Sequence, residues 1–177
     1  MSGRGTTVEG PHPAGLPDAR LAKECRVKFG RASGPGGQHR NKVETAVSIL
    51  HLPTGIEATA AERRSQSQNK HMAWRRLRLK LARKVRTAVI PRRYACSDLW
   101  RQRRQGTKLP VNPRHKDYAA LLAEALDVVT AFGFDVGGAA GVLGVTMSQL
   151  ARLIRHDRHA FAWLNEDRTA RGLPALK

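Results

Sequence analysis

The stretch VETAVSILHLPTGIEATA, residues 43–60, determines the fold of the first half of this 177-residue chain. Residues 43–52 alternate between two sets of side chains, with Val47 and Ile49 in one set and Ser48 and Leu50 in the other. This period of two is typical of a strand with one buried face. Pro53-Thr54-Gly55 is a turn sequence, and the alternation resumes over residues 56–60. The stretch therefore predicts an antiparallel β-hairpin.

The segments on either side of this hairpin predict a third strand and a helix. Residues 25–29 alternate apolar and basic side chains, as a half-buried strand does. Residues 65–88 predict a long helix, because apolar residues recur every four positions along it, at Ala73, Leu77, Leu81 and Val85. The order β-loop-β-β-α predicts an α+β fold in which a helix packs on one face of a small sheet.

The loop SGPGGQHRNK, residues 33–42, separates the first strand from the hairpin. It lacks the Gly-Lys-Ser/Thr sequence of a phosphate-binding P-loop. Gly36-Gly37-Gln38 contains no acid, base or nucleophile, so covalent catalysis is not expected there. The backbone N–H of Gln38 could instead be a fixed donor to developing negative charge. His39 has two interpretations, a general base or a solvated side chain that contacts RNA.

The chain carries a formal net charge of +18, and most of this charge lies in one segment. Residues 21–96 hold 18 basic and four acidic side chains, whereas residues 117–177 hold six basic and seven acidic ones. Such a cationic segment predicts a nucleic-acid partner. The sequence contains no membrane-length apolar run and no signal peptide, which favours a cytoplasmic protein without a membrane partner. Two cysteines are too few for a disulfide framework or a zinc site, and no cofactor is predicted.

These patterns divide the chain into four segments. Residues 1–20 are predicted to be a disordered leader, 21–90 the α+β domain, 91–116 a basic linker and 117–177 a small helical module. In the module, residues 139–153 suggest a helix-turn-helix with Gly144 at the turn and Thr146 as a helix cap. Its candidate second helix would expose four polar or basic side chains, those of Ser148, Gln149, Arg152 and Arg155. Contact with nucleic acid and a purely structural or protein contact remain equal alternatives.

Two histidines of this module, His156 and His159, lie three positions apart. A metal site needs at least three converging ligands, so these residues are interpreted as surface histidines.

Several short motifs of the first domain occur in a specific order and spacing. They are Ser33-Gly34-Pro35-Gly36-Gly37-Gln38, Asn41, His51-Leu52-Pro53-Thr54-Gly55-Ile56, Arg64-Ser65-Gln66 and Asn69-Lys70. Together they resemble the catalytic GGQ domain of class I peptide chain release factors and of the ribosome-rescue hydrolases built on it. The resemblance covers roughly residues 21–90.

The resemblance implies hydrolysis of the ester that joins a nascent peptide to tRNA, inside the peptidyl-transferase centre of the large ribosomal subunit. Its implied catalytic residues are Gly36, Gly37 and Gln38. Contacts with RNA are expected from twelve residues, which are Ser33, His39, Arg40, Asn41, Lys42, Arg64, Gln66, Asn69, Lys70, Arg101, Arg103 and Arg104. The implied partners are large-subunit rRNA and peptidyl-tRNA, and the resemblance also allows a glutamine methyltransferase that modifies Gln38. The protein is expected to act as a monomer.

Only 20 residues precede the first predicted domain, whereas codon-reading release factors carry large domains ahead of theirs. We therefore expect codon-independent rescue of stalled ribosomes. The alternative is an RNA- or DNA-binding regulator that uses the helix-turn-helix-like segment and has lost catalysis, although the intact Gly36-Gly37-Gln38 sequence argues against that loss.

Overall fold

The computed structural model describes residues 6–31 and 45–177. These residues form a mixed α+β structure and fall into two compact units. We call residues 16–81 the sheet unit, and residues 6–15 together with 82–177 the helical unit.

The described elements are numbered in chain order. They are β1 (Thr6–Val8), a 3-10 helix (Pro13–Gly15), α1 (Asp18–Lys23), β2 (Cys25–Gly30), β3 (Ala46–His51), β4 (Ile56–Ala60), α2 (Gln66–Lys84), β5 (Val85–Thr87), a second 3-10 helix (Pro91–Arg93), α3 (Asp98–Arg103), α4 (Tyr118–Ala131), α5 (Val136–Leu143), α6 (Met147–Arg155) and α7 (Arg158–Ala170).

The sheet unit contains the predicted antiparallel sheet, in the order β2-β3-β4. The predicted hairpin is confirmed, since β3 and β4 pair from Val47 opposite Ala60 to His51 opposite Ile56. Gly55 closes the turn with a positive φ of 67°, which favours glycine. One face of the sheet is buried through Val47, Ile49, Ala58 and Ala60.

The predicted apolar stripe of α2 is also confirmed, because Ala73, Leu77 and Leu81 are fully buried, as is Val85, the residue that follows the helix. The helix nevertheless ends at Lys84, four residues earlier than the sequence predicts. Arg86 explains this end: its guanidinium donates to the backbone carbonyls of Ala82 (2.9 Å) and Arg83 (2.7 Å) in the last turn. The chain then continues as β5, which pairs in parallel with β1.

Residues 6–20 differ from the prediction of a disordered leader. Strand β1 pairs with β5, and the 3-10 helix that buries Pro13 and Ala14 packs against α4. In the sheet unit, Leu16 is buried as well. Prolines and short apolar side chains carry little periodic signal, so this order could not be predicted from the sequence.

Residues 91–116, predicted to be a basic linker, pack within the helical unit and contain α3. Trp100 in α3 is fully buried, and its indole N–H donates to the carbonyl of Leu143 at 2.9 Å. The Glu124 carboxylate accepts hydrogen bonds from the backbone N–H (2.8 Å) and hydroxyl (2.6 Å) of Ser97. One buried tryptophan thus anchors a segment whose other residues are mostly polar or charged.

Residues 117–177 form the predicted helical module, which contains the helices α4 to α7. Gly144 ends α5 with a φ of 66°, and the Thr146 hydroxyl caps α6 by accepting from the Gln149 N–H. Leu150, Leu153 and Ile154 of α6 are buried. None of the helices in the described part of the chain is long and apolar enough to cross a membrane.

Candidate functional site

The structure describes the base of the glycine-rich loop, whereas the loop itself lies outside the described residues. The residues that the structure does not describe include the predicted catalytic residues Gly36, Gly37 and Gln38. They also include five predicted RNA contacts, which are Ser33, His39, Arg40, Asn41 and Lys42. Strand β2 ends at Gly30, which pairs with Ala46, the first residue of β3. The two ends of the loop therefore leave the sheet from neighbouring positions of one antiparallel strand pair.

Asn69 connects the first turn of α2 to this base. Its side-chain amide donates to the carbonyls of Thr45 (2.7 Å) and Arg63 (2.8 Å), and its carbonyl accepts from the Arg63 N–H at 2.9 Å. The residue is 0% exposed. The side chain is buried and its hydrogen-bonding groups are occupied, which argues against the predicted contact of Asn69 with RNA. Asn69 instead positions the start of β3 and the start of α2.

Three other predicted RNA contacts surround Asn69 in sequence. Arg64, Gln66 and Lys70 are all exposed where α2 begins. The Ser65 carbonyl accepts from the Asn69 N–H at 3.1 Å, which fixes the start of the helix. These exposed side chains thus lie within five residues of Asn69, which holds the loop base, and their contact with RNA stays a prediction.

The turn after β3 is held by a group that the sequence did not reveal. The buried His51 ring bonds to the Thr54 hydroxyl (Nδ1, 2.7 Å) and to the Glu24 carboxylate (Nε2, 3.1 Å). The spacing of His51 and Thr54 across a turn could have suggested the first contact. Glu24 lies 27 residues away, and nothing in the pattern links it to His51.

The basic side chains of α2 are only partly available to a ligand. Arg76 pairs with Glu62, and this hydrogen bond lowers the pKa of Glu62 to about 2. Arg78 pairs with Asp18 at 2.6 Å, and Lys80 donates to the Glu57 carbonyl at 2.8 Å. Several cations of α2 therefore hold the sheet unit together, which reduces the number that can contact phosphate.

Arg101, Arg103 and Arg104, the remaining predicted RNA contacts, each bind a group of the helical unit. Arg101 pairs with Asp98, Arg103 pairs with Asp117, and Arg104 donates to the Gly144 carbonyl at 3.2 Å. Arg101 and Arg104 are nevertheless exposed. Contact between these arginines and RNA stays a prediction. Such a contact would have to share or replace the ion pairs and the hydrogen bond just described.

Within residues 6–31 and 45–177, the structure contains no cluster of three or more His, Cys, Asp or Glu side chains that could hold a metal ion. His156 and His159 are both exposed.

Comparison with known proteins places this site in a family. Residues 21–108 match the RF-1 domain. Peptide chain release factor 2 of Paramagnetospirillum magneticum is 53% identical over 58 residues, which are 33% of this chain and 16% of the relative. Peptide chain release factor 1 of Acidiphilium cryptum is 47% identical over 72 residues, 41% of this chain and 20% of the relative. A mitochondrial peptide chain release factor 1-like protein of Rattus norvegicus is 42% identical over 71 residues, 40% of this chain and 19% of the relative.

Residues 21–108 of this chain therefore belong to the RF-1 domain family, the GGQ domain of class I release factors. This confirms the resemblance found in the sequence motifs. The chain spans a fifth or less of the length of these relatives, between 16% and 20%.

Proposed function

We propose that this protein hydrolyses the ester between a nascent peptide and tRNA on the ribosome, with Gly36-Gly37-Gln38 at the catalytic tip. The observation that carries the proposal is the RF-1 domain match, which includes these three residues. The paired ends of β2 and β3 and the buried Asn69 support it, because they give the loop a fixed base.

In the proposed reaction, water attacks the ester carbonyl and the ribose 3′ oxygen of the tRNA leaves. The backbone N–H of Gln38 donates to the developing negative charge, while its side chain places water and excludes larger nucleophiles. Because residues 36–38 contain no ionisable group, proton transfer falls to the ribose hydroxyl of the substrate and to rRNA. Large-subunit rRNA and peptidyl-tRNA are therefore the proposed partners.

We propose further that release does not depend on a stop codon. The cations that the structure exposes around the loop base, Arg64 and Lys70, suit contacts with phosphate. Phosphate contacts position a protein on nucleic acid but carry no sequence information.

Peptide release from purified stalled ribosomes tests this proposal directly. Complexes with a stop codon, a sense codon or no codon in the A site would be compared at equal enzyme concentration. We expect similar rates in all three. Release restricted to the stop-codon complex would overturn codon independence and leave the hydrolase proposal standing. No release from any complex would overturn both.

A further inference from the structure

An open groove of about 560 Å³ lies within the helical unit, between residues 105–112 and helix α6. Lys108 and Arg152 line opposite sides of it, and Leu109 and Val111 contribute an apolar surface. Asn112 adds an amide group. The groove thus combines positive charge, apolar surface and hydrogen-bonding groups.

Backbone and side-chain hydrogen bonds fix the shape of this groove. Gln105 and Lys108 exchange two backbone hydrogen bonds of 2.9 and 3.0 Å, which close a tight turn. The Thr107 carbonyl accepts from the N–H of Thr146, the cap of α6, at 3.1 Å. The Gln149 side-chain carbonyl accepts from the Leu109 N–H at 3.2 Å. The two walls are therefore bonded to each other, and little ordering is needed before a ligand binds.

The groove is cationic even though residues 117–177 carry a formal charge of −1 by count. No acidic side chain is among its lining residues in the described structure, and neither Lys108 nor Arg152 forms an ion pair with another described residue. The nearby acids bind elsewhere: Asp157 caps α7 and lies 3.7 Å from Arg83, and Asp117 pairs with Arg103. The exposed Lys108 and Arg152 therefore attract an anion.

The walls of the groove favour a single strand over a DNA duplex. A helix-turn-helix protein inserts its second helix into the major groove, with the N-terminal residues of that helix on the bases. Here the turn at 105–108 is bonded to the N-terminal end of α6, and Gln149 is occupied by Leu109. Proteins that hold single strands follow the phosphate backbone with a positively charged groove.

We infer that this groove binds the phosphate backbone of a single-stranded RNA segment, with Lys108 and Arg152 as the phosphate contacts. The inference goes beyond the proposed hydrolysis and does not require it, because the groove belongs to the helical unit and contains none of residues 36–38.

Binding of the full chain to a fluorescent single-stranded oligouridylate across a salt series tests this inference without ribosomes. The test variant is Lys108→Gln with Arg152→Gln. The matched control is Lys116→Gln with Arg158→Gln, which removes the same charge from two exposed residues outside the groove. Each phosphate contact on a single strand contributes about 0.7 to the slope of log affinity against log salt. We expect the test variant to lose roughly 1.4 from that slope relative to the control.

Equal slopes and affinities for the two double variants would overturn the inference. A duplex DNA with the same number of phosphates provides a second comparison. If the test variant weakened duplex binding more than single-strand binding, α6 would be a duplex-reading helix and the groove proposal would be wrong. Failure of peptide release on ribosomes would leave this measurement unaffected, so the two proposals can fail separately.

Discussion

Asn69 shows how a buried residue can support the base of the glycine-rich loop. Its three hydrogen bonds join Thr45 at the loop base to Arg63 and to the start of α2. Asn69→Ala would leave buried backbone groups without partners, so we expect a loss of about 2–4 kcal/mol of unfolding free energy. Urea unfolding measures this loss.

The neighbouring Lys70 is the control, because it is exposed and shares the sequence context of Asn69. Lys70→Ala should change the unfolding free energy by no more than about 0.5 kcal/mol. If Asn69→Ala were as stable as the wild-type protein but bound RNA more weakly, Asn69 would be an RNA contact rather than a positioning residue.

His12 should make stability depend on pH. Its Nδ1 accepts from the Ala14 N–H at 3.0 Å, which requires a neutral ring, and its Nε2 lies 3.2 Å from the Val85 carbonyl. Burial lowers the pKa of His12 from 6.5 to about 4, and the charge of Arg86 acts in the same direction. Between those pH values the unfolded chain binds more protons than the native one. Stability due to His12 is therefore complete above pH 6.5 and is lost as pH falls towards 4, by up to about 3 kcal/mol.

The measurement compares the wild-type protein with His12→Asn, which keeps a side-chain acceptor but cannot titrate. Burial raises the pKa of Asp127 to about 6, which gives stability the opposite dependence on pH. Because Asp127 is common to both proteins, its contribution cancels in their difference. We expect the stability difference between wild type and variant to grow in favour of the wild type from pH 4 to 7. Parallel stability curves would show that His12 titrates normally in the folded protein.

At the scale of elements, two of the glycines in α5 and the turn after it have opposite requirements. Gly144 has a φ of 66°, and a Cβ there would lie 1.7 Å from the Arg104 guanidinium. Gly141 lies inside α5, where a Cβ would meet no described atom within 4 Å. We expect Gly144→Ala to lose about 1–2 kcal/mol and Gly141→Ala to gain about 0.5–1 kcal/mol. Thermal unfolding of both variants checks the signs, and destabilisation by Gly141→Ala would contradict the position of that residue on an open helix face.

The ends of elements were harder to predict than the elements themselves. The stripe of Ala73, Leu77 and Leu81 predicted α2 because burial of one helix face imposes its period on the sequence. The end of α2 depends on Arg86, whose guanidinium binds carbonyls of the last turn and lies 3.3 Å from the Asp127 carboxylate. In the sequence, Arg86 appears as one more arginine in a basic helix, so its capping role was visible only in the structure.

For the whole molecule, the sequence predicted which segments are strands and helices, but not how residues 6–15 and 82–177 combine into one unit. Trp100 is the clearest case, since its burial against Leu143 depends on a contact 43 residues away. The net charge of residues 117–177 was likewise an incomplete guide to where positive charge is exposed. Several of their acids cap helices or form ion pairs, and Arg152 stays exposed in a groove that a simple charge count does not reveal.

The motifs of the glycine-rich loop were recognisable from sequence, because the glycines and Gln38 lie next to each other in the chain. The contacts that hold the sheet unit were not recognisable, because Asn69 lies 24 residues from Thr45 and His51 lies 27 residues from Glu24.

The central claim is that residues 36–38 carry out peptide release, and Gly37→Ala tests it most directly. The matched control is Gly30→Ala, at the end of β2, where a Cβ would meet no described atom within 4 Å. Rates of peptide release and affinity for purified stalled ribosomes would be measured for wild type and both variants. An added Cβ at Gly37 restricts the backbone and occupies space beside the ester, so release should fall roughly 100-fold or more while ribosome binding persists. Gly30→Ala should release peptide at nearly the wild-type rate. Near-normal release by Gly37→Ala would contradict the account.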